Sequence, residues 1–332
     1  MRDLHIRRAG ADDRATIQRF IDLLQDAEAA MHRSRRAAAA LVPHVVDELM
    51  RRTDGDGGAI LLAECAGATV GYIAFYAERH ESLELRESAH RFLYVADLCI
   101  EPAARGQGIA GLLLAEAETQ CRRLGLPRLA LGVLAGNPSA IGAYARAGYR
   151  PYELWLEKRI AGAAVPARNV DGLVLRNPHD SDRDTLLALL RDLADEEAAY
   201  HWAMRPGREM TMAEVDRTLA EIADEDGAIV IAELGGKPVG YAAVVLQDGD
   251  GEFELKDEWL RRGVVTDLFV APFGRRRGIG LALLAACERF VADAGTDWLQ
   301  ICVSPANAPA VALYRRAGFG DYEWVLEKRL TA

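Results

Sequence analysis

Residues 105–118 read RGQGIAGLLLAEAE, and the fold turns on what this stretch is for. Two glycines and an arginine lead straight into a good helix former, which is how a chain presents backbone N–H groups to a phosphate. Read literally, Gly106, Gly108 and Gly111 spell G-x-G-x-x-G, the dinucleotide fingerprint. A dinucleotide fold places that turn between its first strand and first helix, with an acidic residue about 20 positions later at a strand end. Here the turn comes late, behind a hairpin signal, and the corresponding downstream stretch is the apolar LALGV. A P-loop is excluded as well, because no G-K-[ST] follows.

The chain carries this region twice. Setting residue 97 against 267 gives an ungapped match to 159 against 329, with about 25 of those 63 positions identical. The pairs include Asp97/Asp267, Pro102/Pro272, Asn137/Asn307, Tyr144/Tyr314, Gly148/Gly318 and the tail LEKR. Upstream the offset falls by one, as in Arg7/Arg176, Glu28/Glu197 and His32/His201. A period near 170 residues is too long for a solenoid unit, so a whole domain has been duplicated. The expected organisation is a domain at 1–160, an Ala/Gly/Pro-rich linker at 161–172 and a second domain at 173–332. The second loop reads RRRGIGLALLAACE, so what both copies share is R-x-x-G-x-[AG]: Arg105, Gly108, Ala110 and Arg275, Gly278, Gly280. Small residues there let a pyrophosphate approach the backbone, and the arginine adds charge.

Each half has the same coarse order. A short strand precedes two amphipathic helices, then a hairpin (AILLAEC and TVGYIAFYAE; GAIVIAEL and PVGYAAVVLQ) and a third strand (FLYVADLCI; GVVTDLFV). Gly67 and Gly235-Gly236 separate the hairpin strands, which marks antiparallel pairing. After the glycine loop, Ile109, Leu112, Leu113, Ala117 and Cys121 recur at helical spacing, as do Ile279, Leu283, Leu284, Cys287 and Val291. A buried strand, a helix ending at Gly148 or Gly318, and a last strand (YELWLEKRI; YEWVLEKRL) complete the unit. Each unit reads as a mixed α/β sheet with helices on both faces.

Composition excludes several classes. A net charge of −10 argues against nucleic acid, which needs a basic face. The excess is lopsided: residues 1–160 hold 21 basic and 21 acidic side chains, residues 161–332 hold 19 and 29, which mildly favours cationic ligands for the second half. No apolar run approaches the roughly 18 residues of a membrane span, and MRDLHIRRAGADDR has no apolar stretch of a secretory signal, so a cytoplasmic protein is expected. The five cysteines are scattered in apolar runs, as suits reduced core thiols.

With these motifs in place, each half resembles a GNAT (GCN5-related) N-acetyltransferase domain. The resemblance rests on Q/R-x-x-G-x-G/A, met in both copies, and on N-x-x-A-x-x-x-Y-x-x-x-G, met by Asn137, Ala140, Tyr144, Gly148 and by Asn307, Ala310, Tyr314, Gly318. It implies a mostly antiparallel sheet whose central parallel strands splay apart around acetyl-CoA. The turn residues Arg105, Gly106, Gln107, Gly108, Ile109, Ala110 and Arg275, Arg276, Arg277, Gly278, Ile279, Gly280 would hold the pyrophosphate of coenzyme A. Leu98, Cys99, Ile100 and Leu268, Phe269, Val270 would pair with the pantetheine arm, which Asn137 and Asn307 would also bond; the plainer role for the asparagines is a helix N-cap.

The same resemblance makes Tyr144 and Tyr314 the acids that protonate the departing thiolate, against a plainer reading as core aromatics. VADLCI and VTDLFV are similar to the strand of diamine acetyltransferases, in which a glutamate precedes the aspartate. Ala96 and Thr266 stand there instead, which leaves Asp97 and Asp267 as candidate bases or as loop braces. Glu28/His32 and Glu197/His201, spaced i,i+4, would face one side of a helix that walls the acceptor site, with a solvated ion-pair face as the plainer alternative. No further ligands in register suggest a metal.

The implied activity is transfer of acetyl from acetyl-CoA to a primary amine, a small cationic molecule, by direct attack. The alternatives are one half that is a silent coenzyme A-binding or structural domain, and a protein N-terminal or mycothiol-synthase-like acetyltransferase. The expected partner is a small-molecule amine, with neither nucleic acid nor membrane, in a monomer with an internal pseudo-dimer or in a homodimer.

Overall fold

The computed structural model of the chain describes residues 4–41, 45–55, 57–80, 82–160, 170–249 and 252–330. Residues 161–169 of the expected linker lie outside the described residues. The first half runs β1 (His5–Arg8), α1 (Arg14–Met31), α2 (Val45–Thr53), β2 (Ala59–Cys65), β3 (Ala68–Arg79), β4 (Arg91–Ile100), α3 (Ile109–Arg123), β5 (Arg128–Leu134), α4 (Pro138–Arg146) and β6 (Arg150–Arg159). The second half repeats it with β7 (Leu173–Arg176), α5 (Arg183–Ala198), α6 (Met212–Asp224), β8 (Ala228–Leu234), β9 (Lys237–Asp248), β10 (Arg261–Val270), α7 (Ile279–Asp293), β11 (Trp298–Val303), α8 (Ala308–Arg316) and β12 (Gly320–Arg329).

Local chemistry accounts for these elements. Ala66 and Gly67 both take positive φ, as do Gly235 and Gly236, which is the turn that joins β2 to β3 and β8 to β9 antiparallel. Thr211 and Glu214 cap α6 reciprocally, each side chain bonding the other's backbone N–H. α1 turns Ile17, Phe20 and Ile21 inward at helical spacing, and α3 buries Ile109, Leu113, Leu114, Ala117 and Cys121. Burying each of the larger side chains contributes roughly 1.5–3 kcal/mol. The helices α1 and α2 cover one face of the first half's sheet and α3 and α4 the other, with α5–α6 and α7–α8 as counterparts. All five cysteines are free. Among the described residues no helix is long and apolar enough to cross a membrane.

The twelve strands form one sheet in the order β1-β2-β3-β4-β5-β12-β6-β11-β10-β9-β8-β7. A sheet confined to each half would keep each last strand at home, yet the two are exchanged. β12 inserts beside β5, from Glu323↔Leu134 to Arg329↔Arg128, and β6 lies beside β11. The nearly identical strands β6 and β12 also pair antiparallel with each other, so a pseudo-twofold axis passes between them. The lysines of the LEKR tails therefore serve the opposite halves. Lys328 donates to Glu118 on α3 (2.7 Å) and to the carbonyl of Ala147 at the end of α4 (2.9 Å). Lys158 does the same for Glu288 on α7 (2.6 Å) and the carbonyl of Ala317 after α8 (2.9 Å).

Candidate active sites

The parallel pair β4–β5 is hydrogen-bonded only from Leu93–Val95 to Leu129–Leu131, although β4 continues to Ile100. β10 and β11 likewise part after Val265 and Ile301. The β5-facing edge of Leu98, Cys99 and Ile100, and the matching edge of Leu268, Phe269 and Val270, thus have no strand partner. A backbone edge left this way needs hydrogen bonds from elsewhere, which a ligand with amides can supply.

A β-bulge sits where the splay begins. Ala74 faces Asp97 and Phe75 faces Val95, so Ala96 is the extra residue; Thr266 is its counterpart. The bulge inverts the alternation. Leu93 and Val95 face the α3 layer before it, Leu98 and Ile100 after it. Asp97 is thereby turned from the α3 layer to a cavity on the α1–α2 face. Tyr72 donates to its Oδ2 (2.6 Å), and burial pushes its pKa up to about 6 despite that bond. Asp267, raised by burial as well, accepts from Thr266 (3.0 Å) and Tyr241 (3.2 Å).

The glycine turn follows β4. Gly106 and Gly108 take φ of 78° and 81°, and the second copy reproduces this with Arg276 at 62° and Gly278 at 90°. Left-handed residues thus lead into the start of α3 and α7, a backbone pattern of the kind in which successive N–H groups can converge on an anion. A Cβ on Gly106 or Gly108 would meet no atom within 4 Å, so it is the dihedral rather than crowding that these positions need. Arg105 and Arg275 donate through Nε to the carbonyls of Ile100 (3.1 Å) and Val270 (2.7 Å), tying the turn to the strand end, and Arg275 also pairs with Glu196. Gln107 and Arg277 lie within the turn, and Ile109, Ala110, Ile279 and Gly280 form the first residues of the helices.

Asn137 and Asn307 cap α4 and α8, accepting from Ala140 N (3.0 Å) and Ala310 N (3.2 Å). Tyr144 and Tyr314 are buried on these helices. Burial raises both phenols above their usual range; Glu28 and Asp97 add to this at Tyr144, Glu197 and Asp267 at Tyr314.

The cavity on the α1–α2 face, about 420 Å³, is closed by the other half: Glu254 from the β9–β10 connection and Tyr322 and Glu323 from β12 line it together with Glu28, Arg35 and Asp97. Arg35 stands among the carboxylates of Glu323 (3.3 Å), Glu28 (3.7 Å) and Glu254 (3.9 Å). Sequence reasoning missed Arg35, Glu254 and Glu323 because the glutamates come from the far half of the chain, Glu323 on the exchanged strand β12 and Glu254 on the β9–β10 connection that pairs with residues 34–36. The repeat held a usable signal, since Glu84/Glu254 and Glu153/Glu323 recur at the common offset.

The i,i+4 pairs need correction. α1 ends at Met31 and α5 at Ala198, so neither histidine continues its helix. Glu28 lines the cavity, whereas the ring of His32, in extended backbone, donates from Nε2 to Glu157 of β6 (2.9 Å). His201 donates likewise to Glu327 of β12 (2.8 Å). Both are 18% exposed or less at the side chain, so they form no solvated face; they tie the first helices to the exchanged strands. Among the described residues no group of three or more His, Cys, Asp or Glu is placed to hold a metal ion.

A splayed parallel pair, a glycine turn opening the next helix and a facing tyrosine helix, all present twice, define a tandem acyltransferase fold. The sequence pattern of the acetyltransferase (GNAT) family matches residues 22–149 and 188–319, and the chain belongs to that family, as an N-acetyltransferase of two such units. Its relatives include the mycothiol acetyltransferase of Pseudarthrobacter chlorophenolicus, 28% identical over 234 residues (69% of this chain, 68% of the relative). In fold it is similar to a GCN5-related N-acetyltransferase from Sphaerobacter thermophilus (19% identical, 98% and 95% of the two chains, TM-score 0.58). It is also similar to a tandem GNAT protein from the clavulanic acid biosynthesis pathway (15% identical, 99% of each chain, TM-score 0.50).

Proposed function

We propose that each half binds acetyl-CoA and transfers its acetyl group to a small amine entering from the α1–α2 or α5–α6 face. Enzymes of this family use acetyl-CoA, and the residues present fit it: a turn whose N–H groups can converge suits a pyrophosphate, and an open strand edge suits the amides of a pantetheine arm. Bound there, the thioester supplies an activated acyl group.

The chain's own groups supply proton handling. Asp97, raised by burial to about 6, is ionised at neutral pH yet basic enough to take a proton from an ammonium, directly or through water, and Asp267, its pKa raised by burial as well, has the corresponding role in the second half. Tyr144 and Tyr314, kept protonated by burial, can donate to a leaving thiolate. Asn137 and Asn307 use Oδ1 as a cap, which leaves the amide NH₂ for the ligand. The observation that carries the reading is the bulge, which places an aspartate in a carboxylate-lined cavity beside a free strand edge.

The acidic lining favours a cationic acceptor. A second reading, an acceptor like that of the mycothiol acetyltransferases, draws on the relatives of that name. Calorimetry with coenzyme A tests the first step: two equivalents per chain are expected, and one would mean a silent half. A screen of amines with acetyl-CoA, read by free-thiol release, tests the second, and release that no amine accelerates would overturn it.

A further inference from the structure

The carboxylates that line the first half's cavity have counterparts at matching positions of the second half, but the cation among them, Arg35, does not. In the first, Arg36 N donates to Glu254 O (2.8 Å) and Lys256 N to Ser34 O (2.9 Å), with a β-bridge between Arg35 and Leu255. In the second, Arg205 N donates to Glu84 O (2.7 Å) and Arg86 N to Ala203 O (2.7 Å), with a bridge between Leu85 and Met204. Met204 therefore occupies the place of Arg35. The carboxylates correspond as well: Glu28, Asp97, Glu254 and Glu323 match Glu197, Asp267, Glu84 and Glu153.

In the first pocket three of the four carboxylates surround the Arg35 guanidinium at 3.3–3.9 Å. In the second, none of the four has an ion-pair partner among the described residues. Arg128 acts on Glu153 from a distance, but its own partner is Glu327 at 3.1 Å, and His80 also acts on Glu153. Glu197 is raised well above the ordinary carboxylate range by burial and then by Glu84 and Asp267. Glu84, on the connection between β3 and β4, is pushed up to about 7 by burial and by Asp267 and Glu153. Carboxylates crowded together with no ion-pair partner of their own are costly unless a positive ligand arrives. The first pocket shows what this carboxylate set holds: a planar cation, supplied there by the chain itself.

We propose that the second half's pocket receives an acceptor bearing a second positive charge, a diamine, and that Arg35 fills the place of that second ammonium in the first half, which takes a singly charged amine. This rests on the acetyl-transfer reading above and names the acceptor class of each site.

The test titrates the full chain, with and without coenzyme A, with 1,4-diaminobutane and with n-butylamine. Wild type is expected to bind one equivalent of the diamine. Met204→Arg should weaken that binding at least tenfold, whereas Met204→Gln, similar in size and uncharged, should retain it. Arg35→Met, if it folds, should gain a second equivalent; Met204→Arg decides without it, since its arginine enters among waiting carboxylates, and melting temperature and coenzyme A binding verify its fold. Two equivalents in wild type, or diamine binding that Met204→Arg leaves intact, would overturn the proposal. Coenzyme A binding with no diamine binding would overturn it too while leaving acetyl transfer standing. Failure to bind coenzyme A would count against the transfer reading instead, and the titration without coenzyme A would still read the pocket.

Discussion

Asp97→Asn should make the protein more stable and less active at once. Asp97 rises from the usual 3.8 to about 6 because burial disfavours its charge. At roughly 1.4 kcal/mol per pH unit, holding that carboxylate ionised at pH 7 costs the folded state about 3 kcal/mol. The sign follows from the protons bound. Between about pH 4 and 6 the folded state keeps a proton that the unfolded chain has lost, so the stability contributed by Asp97 falls as pH rises through that window and stays low above it. Asparagine keeps an oxygen to accept from Tyr72, at present 2.6 Å from Asp97 Oδ2, and carries no charge. Urea unfolding followed by tryptophan fluorescence should therefore show the variant about 3 kcal/mol more stable at pH 7 and equal to wild type at pH 4. First-half turnover should fall by about 10²-fold or more. An aspartate that merely braces a loop predicts the opposite stability change, so an asparagine variant less stable at pH 7 would refute the reasoning.

Other perturbations test separate parts of the fold. Tyr144→Phe and Tyr314→Phe should each lower the turnover of their own half by about 10²–10⁴ while coenzyme A stoichiometry stays unchanged, as calorimetry and single-turnover kinetics would read. Lys158→Met leaves Glu288, 2% exposed, without its partner and should cost about 3–5 kcal/mol in urea unfolding; adding Glu288→Leu should restore most of it, because an apolar pair can replace a buried ion pair. Arg276→Gly relieves a left-handed φ of 62° and should stabilise the protein by about 1 kcal/mol, measured by thermal melting.

Much of the fold was legible in one sequence because a duplication is an internal comparison. Turn residues at Gly67 and Gly235-Gly236 and helical spacing after Gly108 and Gly278 depend on neighbours close in the chain, and the structure reproduces them except at Leu112, which is exposed while Leu114 takes the buried position. The bulges at Ala96 and Thr266 were not legible, since one extra residue in a strand leaves no mark in VADLCI or VTDLFV. The assignment of His32 and His201 to helix faces failed for a related reason. Spacing assumes that the helix continues, and α1 stops one residue before His32.

The sequence alone determined two acetyltransferase units, each with its glycine turn and tyrosine helix, because these are written in short-range patterns. Tertiary structure decided which half completes which site. Glu157-Lys158 and Glu327-Lys328 sit in identical LEKR tails, and either tail could satisfy either half's histidine, helix glutamate and helix-end carbonyl. Local contacts being equal, the choice between home and exchanged strands rests on packing between the halves, and with it the delivery of Glu254 and Glu323 to one pocket and of Glu84 and Glu153 to the other.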